Sequence, residues 1–77
     1  MKKVQIQLSA IKDVQDFTRA LTAYPADADL ESGRYLVDAK SIMGIFSLDL
    51  QAPITLTLHG TDEQNEAILN AIKPFVK

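Results

Sequence analysis

The chain has no cysteine, no tryptophan, a single histidine, three glycines and three prolines in 77 residues. Without cysteine there is no disulfide framework, no thiolate metal site, no Cys-x-x-Cys redox centre and no cysteine nucleophile. A small fold that manages without disulfides suits a reducing compartment, so a cytoplasmic location is expected. Basic residues are not in excess: eight Lys and Arg stand against ten Asp and Glu, a formal charge of −2. Proteins that bind the phosphate backbone usually carry a basic surplus, so no nucleic-acid partner is expected. Aromatics are only 6% of the residues, which leaves no stacking platform for a single strand. No apolar run approaches the ~18 residues of a membrane span, and no membrane insertion is expected. Met1-Lys2-Lys3 is followed by alternation rather than an apolar stretch, which does not read as a signal peptide.

What is present fits one small globular domain, residues 1–77. Apolar residues make up 47% and charged residues 23%, the balance of a folded chain rather than a disordered one. A chain of this length buries roughly 60% of its unfolded surface, so a stability on the order of 4–10 kcal/mol is expected. Val4, Ile6 and Leu8 alternate with Gln5 and Gln7, the period of a strand with one dry face. From Ile11 the spacing becomes helical: Ile11, Val14, Phe17, Ala20 and Leu21 share one stripe, with Ser9 as the expected N-cap. Pro25 disfavours helical geometry at Tyr24 and ends that helix. Asp27–Glu31 and Arg34–Asp38 read as two strands joined at Ser32-Gly33. Ser41 to Leu48 reads as a helix of about two turns capped by Ser41. Pro53 opens a last strand, in which Ile54, Leu56 and Leu58 alternate with threonines. After Gly60, Thr61 and Gln64 form a capping box, with Asp62 and Glu63 at the positive end of the helix dipole. Ala67, Ile68, Ala71, Ile72 and Phe75 supply that helix's apolar stripe, and Pro74 should kink its last turn. The order is β-α-β-β-α-β-α, an α+β fold. Its simplest packing sets all three helices on one face of a four-stranded antiparallel sheet.

The run Asp38-Ala39-Lys40-Ser41-Ile42-Met43-Gly44-Ile45-Phe46-Ser47-Leu48 resembles the regulatory-serine segment of HPr, the histidine-containing phosphocarrier of the bacterial phosphoenolpyruvate:sugar phosphotransferase system. Element order, domain size, Tyr24 followed by Ala26-Asp27, Leu30-Glu31 and the Gly60 break extend the likeness over nearly the whole chain. It implies an open-faced β-sandwich with strand order 1-4-2-3. The family's phosphorylated histidine stands in a Gly-(Ile/Leu)-His-Ala-Arg-Pro sequence at the start of the first helix. There the free amides and a nearby arginine suit a phosphoryl group. In this chain Ser9, Ala10, Ile11 and Lys12 occupy that region. An ungapped count from Tyr24 sets Ala10 at the histidine and Lys12 at the arginine. That count puts the first strand out of phase, and a shorter loop restores the phase. Asp13 adds an acidic group that would repel phosphate.

The resemblance therefore implies the scaffold without the phosphocarrier chemistry: a non-enzymatic protein-binding domain with no cofactor. Ser41 is both the expected cap and, by the resemblance, a candidate for serine phosphorylation. Ile42, Met43 and Phe46 share one side of their helix, opposite Ile45 and Leu48, and are the candidate docking patch if exposed. Proteins are the expected partners: an HPr serine kinase, phosphotransferase components or a transcription regulator. A monomer or weak homodimer is expected. His59, out of phase with the last strand, is expected to face solvent, and without clustered ligands it makes no metal site. Asp13 and Asp16, and the alternating Asp27, Asp29 and Glu31, read as solvated surface. Two other readings are a phosphotransfer component whose acceptor is His59 or Asp13, and a drifted small binding domain.

Overall fold

The expected alternation places four strands, and a computed structural model describes all residues 1–77. β1 is Lys2–Ile6, α1 Ile11–Thr22, β2 Ala28–Ser32, β3 Tyr35–Asp38, α2 Ile42–Phe46, β4 Ile54–Leu58 and α3 Asp62–Ala71, followed by a 3-10 turn at Lys73–Phe75. The sheet is antiparallel throughout, in the order β1-β4-β2-β3. Val4, Leu56, Leu30 and Val37 line up in one cross-strand row on the dry face. Lys3, Thr57, Asp29 and Asp38 form a row on the open face. The helices cover the dry face, because its apolar row has no other cover.

One cluster of sixteen buried apolar side chains fills the space between sheet and helices. α1 contributes Val14, Phe17 and Leu21, and α3 contributes Ile68, with Ile72 just beyond its end. Phe17 meets Phe75 edge to face at 6.1 Å between ring centres, which ties the C-terminal turn to α1. Pro74 sits inside the 3-10 turn, and α3 stops at Ala71.

Three local expectations are corrected. Ser9 is not the cap of α1; Ala10 is, with extended backbone and no side-chain capping bond. Ile11 leaves the apolar stripe and is 65% exposed. It is the first helical residue, and the core begins only at Val14, one turn further in. Ala71 is exposed as well, although Ile68 and Ile72 of the same stripe are buried in the core. Leu8 is fully buried although it lies beyond β1.

The β4–α3 junction is held by a residue that periodicity did not single out. Thr61 and Gln64 form the expected capping box, Thr61 Oγ1 accepting from the Gln64 amide at 3.1 Å and Gln64 Oε1 from the Thr61 amide at 3.0 Å. Behind it, buried Asn65 closes on Gly60 from both sides. Its Oδ1 accepts from the Gly60 amide at 3.1 Å and its Nδ2 donates to the Gly60 carbonyl at 3.2 Å. A Cβ on Gly60 would lie 2.7 Å from the Cβ of Ala26, so only glycine fits the turn without a shift. Asn65→Ala leaves both Gly60 groups without their partner and should cost about 1–3 kcal/mol, read as a lower denaturation midpoint at unchanged slope. An unchanged midpoint would contradict the role given to Asn65.

Candidate functional site

The segment before α1 is short: four residues, Gln7 to Ala10, join Ile6 to Ile11. Gln7 anchors it, its Nε2 donating to the carbonyls of Leu50 and Gln51 at 3.2 and 3.1 Å. A helix start leaves backbone amides without intrahelical partners and favours negative charge. Here the chain supplies its own carboxylate. Asp13, in the first turn, reaches back so that its Oδ2 accepts from the Ser9 amide at 3.0 Å. Lys12 is turned along the helix and donates to Asp16 Oδ2 at 2.9 Å, with Arg19 Nη1 4.0 Å from the other oxygen. The hydrogen bond to Asp16, and next its charge, raise the Lys12 pKa above its ordinary 10.5. Asp13 and Asp16 are thus not merely solvated: each holds a specific local partner. No imidazole stands among Ser9, Ala10, Ile11 and Lys12.

α2 is only five residues long, one turn rather than the expected two. Ser41 caps it, Oγ accepting from the Gly44 amide at 3.2 Å. Ser47 closes the other end, donating through Oγ to the Gly44 carbonyl at 2.6 Å. Gly44 lies against β3: a Cβ there would be 3.2 Å from the Cβ of Val37. Lys40 fixes the approach to α2, its Nζ donating to the Tyr24 carbonyl at 2.8 Å. Ile45 is fully buried and Leu48 nearly so, whereas Ile42, Met43 and Phe46 are 39%, 81% and 42% exposed. The two groups separate as the spacing predicts.

His59 is remote from both segments. Its ring Nε2 is 2.7 Å from Asp29 Oδ2, and its amide donates to the Asp27 carbonyl at 2.9 Å. Ile54 pairs with Ile6 at the end of β1 that leads to α1, and Leu58 pairs with Lys2 at the far end. His59 therefore lies roughly 14 Å or more along the sheet from the start of α1. Asp29, expected as plain surface, is a half-buried partner of this ring. The pairing spans thirty residues of sequence, so no local spacing signals it. No group of three His, Asp or Glu side chains converges as a metal site would require, and no helix is long and apolar enough to cross a membrane.

The family model described as the PTS HPr component phosphorylation site matches residues 11–77. The chain belongs to the HPr family. The match begins at Ile11, so Ser9 and Ala10 lie outside it. Among solved structures, the chain is similar to a phosphocarrier protein HPr from Bacillus anthracis str. Ames, at 35% identity and a TM-score of 0.75 over 99% of this chain and 94% of that one. It is also similar to HPr-C-His from Thermoanaerobacter tengcongensis, at 29% identity and TM-score 0.75 over 95% of this chain and 92% of that one. A histidine-containing phosphocarrier protein of Mycoplasma shares the fold at 18% identity and TM-score 0.74, over 95% of this chain and 89% of that one. No curated protein matches the chain. The HPr fold, its open sheet and its strand order are those expected from the sequence.

Ser41→Ala removes the N-terminal side-chain cap of α2 and should destabilise the protein by about 0.5–2 kcal/mol. The Gly44 amide should exchange faster with solvent in the same variant. Unaltered exchange at Gly44 would show that Ser41 does not hold the helix.

Proposed function

We propose that this HPr-family chain, acting as one domain of residues 1–77, binds partner proteins and does not relay phosphoryl groups. The observation that carries this reading is the contrast between two neighbouring segments. α2 keeps three apolar side chains at the surface, whereas the start of α1 has no imidazole and carries a carboxylate of its own, Asp13, bonded to the Ser9 amide. An exposed methionine and aromatic give an adaptable docking surface. The partners this family membership suggests are phosphotransferase proteins, a serine kinase of the HPr type or a transcription regulator, met in the cytoplasm. No cofactor is required for such a role, and the chain is not an enzyme on this reading.

Ser41 is the residue proposed for regulation. A phosphate on its Oγ brings about −1.5 to −2 charges to the edge of the docking patch and three strong acceptors. It also displaces the hydroxyl that now caps Gly44. Both effects alter the surface that Ile42, Met43 and Phe46 present, so phosphorylation there acts on binding directly. The competing reading, an unconventional phosphoryl acceptor, has less support. Asp13 is engaged by the Ser9 amide, and His59 is engaged by Asp29 at the other end of the sheet.

Two measurements test the proposal. Incubation with phosphorylated enzyme I should leave the protein unmodified, and a stable transfer yielding an acid-labile phosphoprotein overturns the loss of relay. Met43→Asp and Phe46→Asp should each weaken partner capture about tenfold or more, as expected for central apolar anchors. Partners retained at full strength by both variants contradict the docking role of α2.

A further inference from the structure

The two edges of the sheet are treated differently. The C-terminal tail covers the end of β1 nearest α1: Val76 bridges Ile6, the Gln7 amide donates to the Phe75 carbonyl at 2.8 Å, and the Lys77 amide donates to the Gln5 carbonyl at 2.9 Å, while the other end begins with Lys2-Lys3. β3, at the other edge, pairs only with β2. Exposed edges are normally blunted by shortness, charge, proline or a bulge, and β3 has only the first two, with four residues ending in Asp38. β3 reads Tyr35-Leu36-Val37-Asp38, pairs without interruption, and carries Tyr35 and Leu36 at 64% and 67% exposure.

The geometry of the hairpin sets which backbone groups are free. Ser32 pairs with Tyr35 across the two-residue loop Gly33-Arg34, with Gly33 at φ +59° and no positive φ at Arg34. In such a loop the closing pair exchanges hydrogen bonds, and the pairs then alternate. Tyr35 and Val37 accordingly turn their amides and carbonyls to β2, and Leu36 turns both of its groups outward. A two-fold axis through Leu36 would let two copies exchange a pair of bonds there. The same axis sets Arg34 opposite Asp38 of the second copy, twice, with Leu36 against Leu36 between them on the open face. Tyr35 meets Val37 on the other face. The edge is complementary to itself in backbone, charge and apolar contact, which is what an isologous interface requires.

We infer that β3 pairs antiparallel with β3 of a second copy of this chain, joining two four-stranded sheets into one. The pairing is confined to Arg34–Asp38, because the Asp38 carbonyl already accepts from the Ser41 amide at 3.0 Å as the chain turns into α2. An edge this short buries less than a standard interface, so the association is weak and concentration-dependent. It does not rest on the partner-binding role of α2.

Sedimentation equilibrium over a concentration series tests it. The unmodified protein should show a monomer–dimer equilibrium. Arg34→Asp replaces two attractions with two repulsions per dimer and should weaken association about tenfold. The double variant R34D/D38R should restore it. Because the chain has no cysteine, a single Leu36→Cys offers a second readout. Directly opposed strand residues lie within disulfide reach, so this variant should oxidise to a covalent dimer well ahead of a Ser47→Cys control. A protein that remains monomeric throughout the series overturns the inference. So does a dimer indifferent to Arg34→Asp, as exchange of β1 or contact through α2 would give, or equal oxidation of the two cysteine variants.

Discussion

A sheet with one dry face and a helix of a single turn impose the division on which the rest depends. α2 can bury only one side, and Ile45 and Leu48 take it. They are held because Gly44 lets the helix backbone come down on Val37 of β3. Once those two are inside, Ile42, Met43 and Phe46 have nowhere to go but the surface. The exposed apolar patch is thus a geometric consequence of packing, kept in place by the Ser41 and Ser47 hydroxyls at the two ends of the turn.

The start of α1 shows the opposite economy. A helix start that awaits an anionic ligand leaves its amides open. Here Asp13 brings a carboxylate to that end and Lys12 is drawn to Asp16. Charge is balanced within the helix rather than reserved for a ligand. The scaffold of the HPr family persists around this end, with Gln7 tying the short connection to the loop before β4.

Much of this was readable from the sequence, where local spacing controls the outcome. Alternation in β1 and β4, the Thr61–Gln64 capping box, and the opposition of Ile45 and Leu48 to Ile42, Met43 and Phe46 all follow from periods of two or 3.6 residues. The misses have a common cause: they depend on where an element ends or on contacts between distant segments. Ser9 looked like a cap by residue type, but the last extended residue before the helix is Ala10. Ile11 fitted the stripe by spacing, but the first turn of α1 overhangs the core. Asn65 reads as an ordinary polar helix residue until Gly60 is seen folded against it. Asp29 and His59 meet only because β2 and β4 are neighbours in the sheet. The exposed edge of β3 likewise becomes visible only with the strand order.

The proposed function is recognition through α2 without relay of phosphoryl groups. The decisive measurement is intact-protein mass spectrometry of the chain isolated from its own cells at neutral pH, before and after brief acid or hydroxylamine treatment. Neither treatment should remove a phosphoryl group from the protein. An acid-labile group mapped to His59, or a hydroxylamine-labile one mapped to Asp13, would mean that the chain still carries phosphoryl groups.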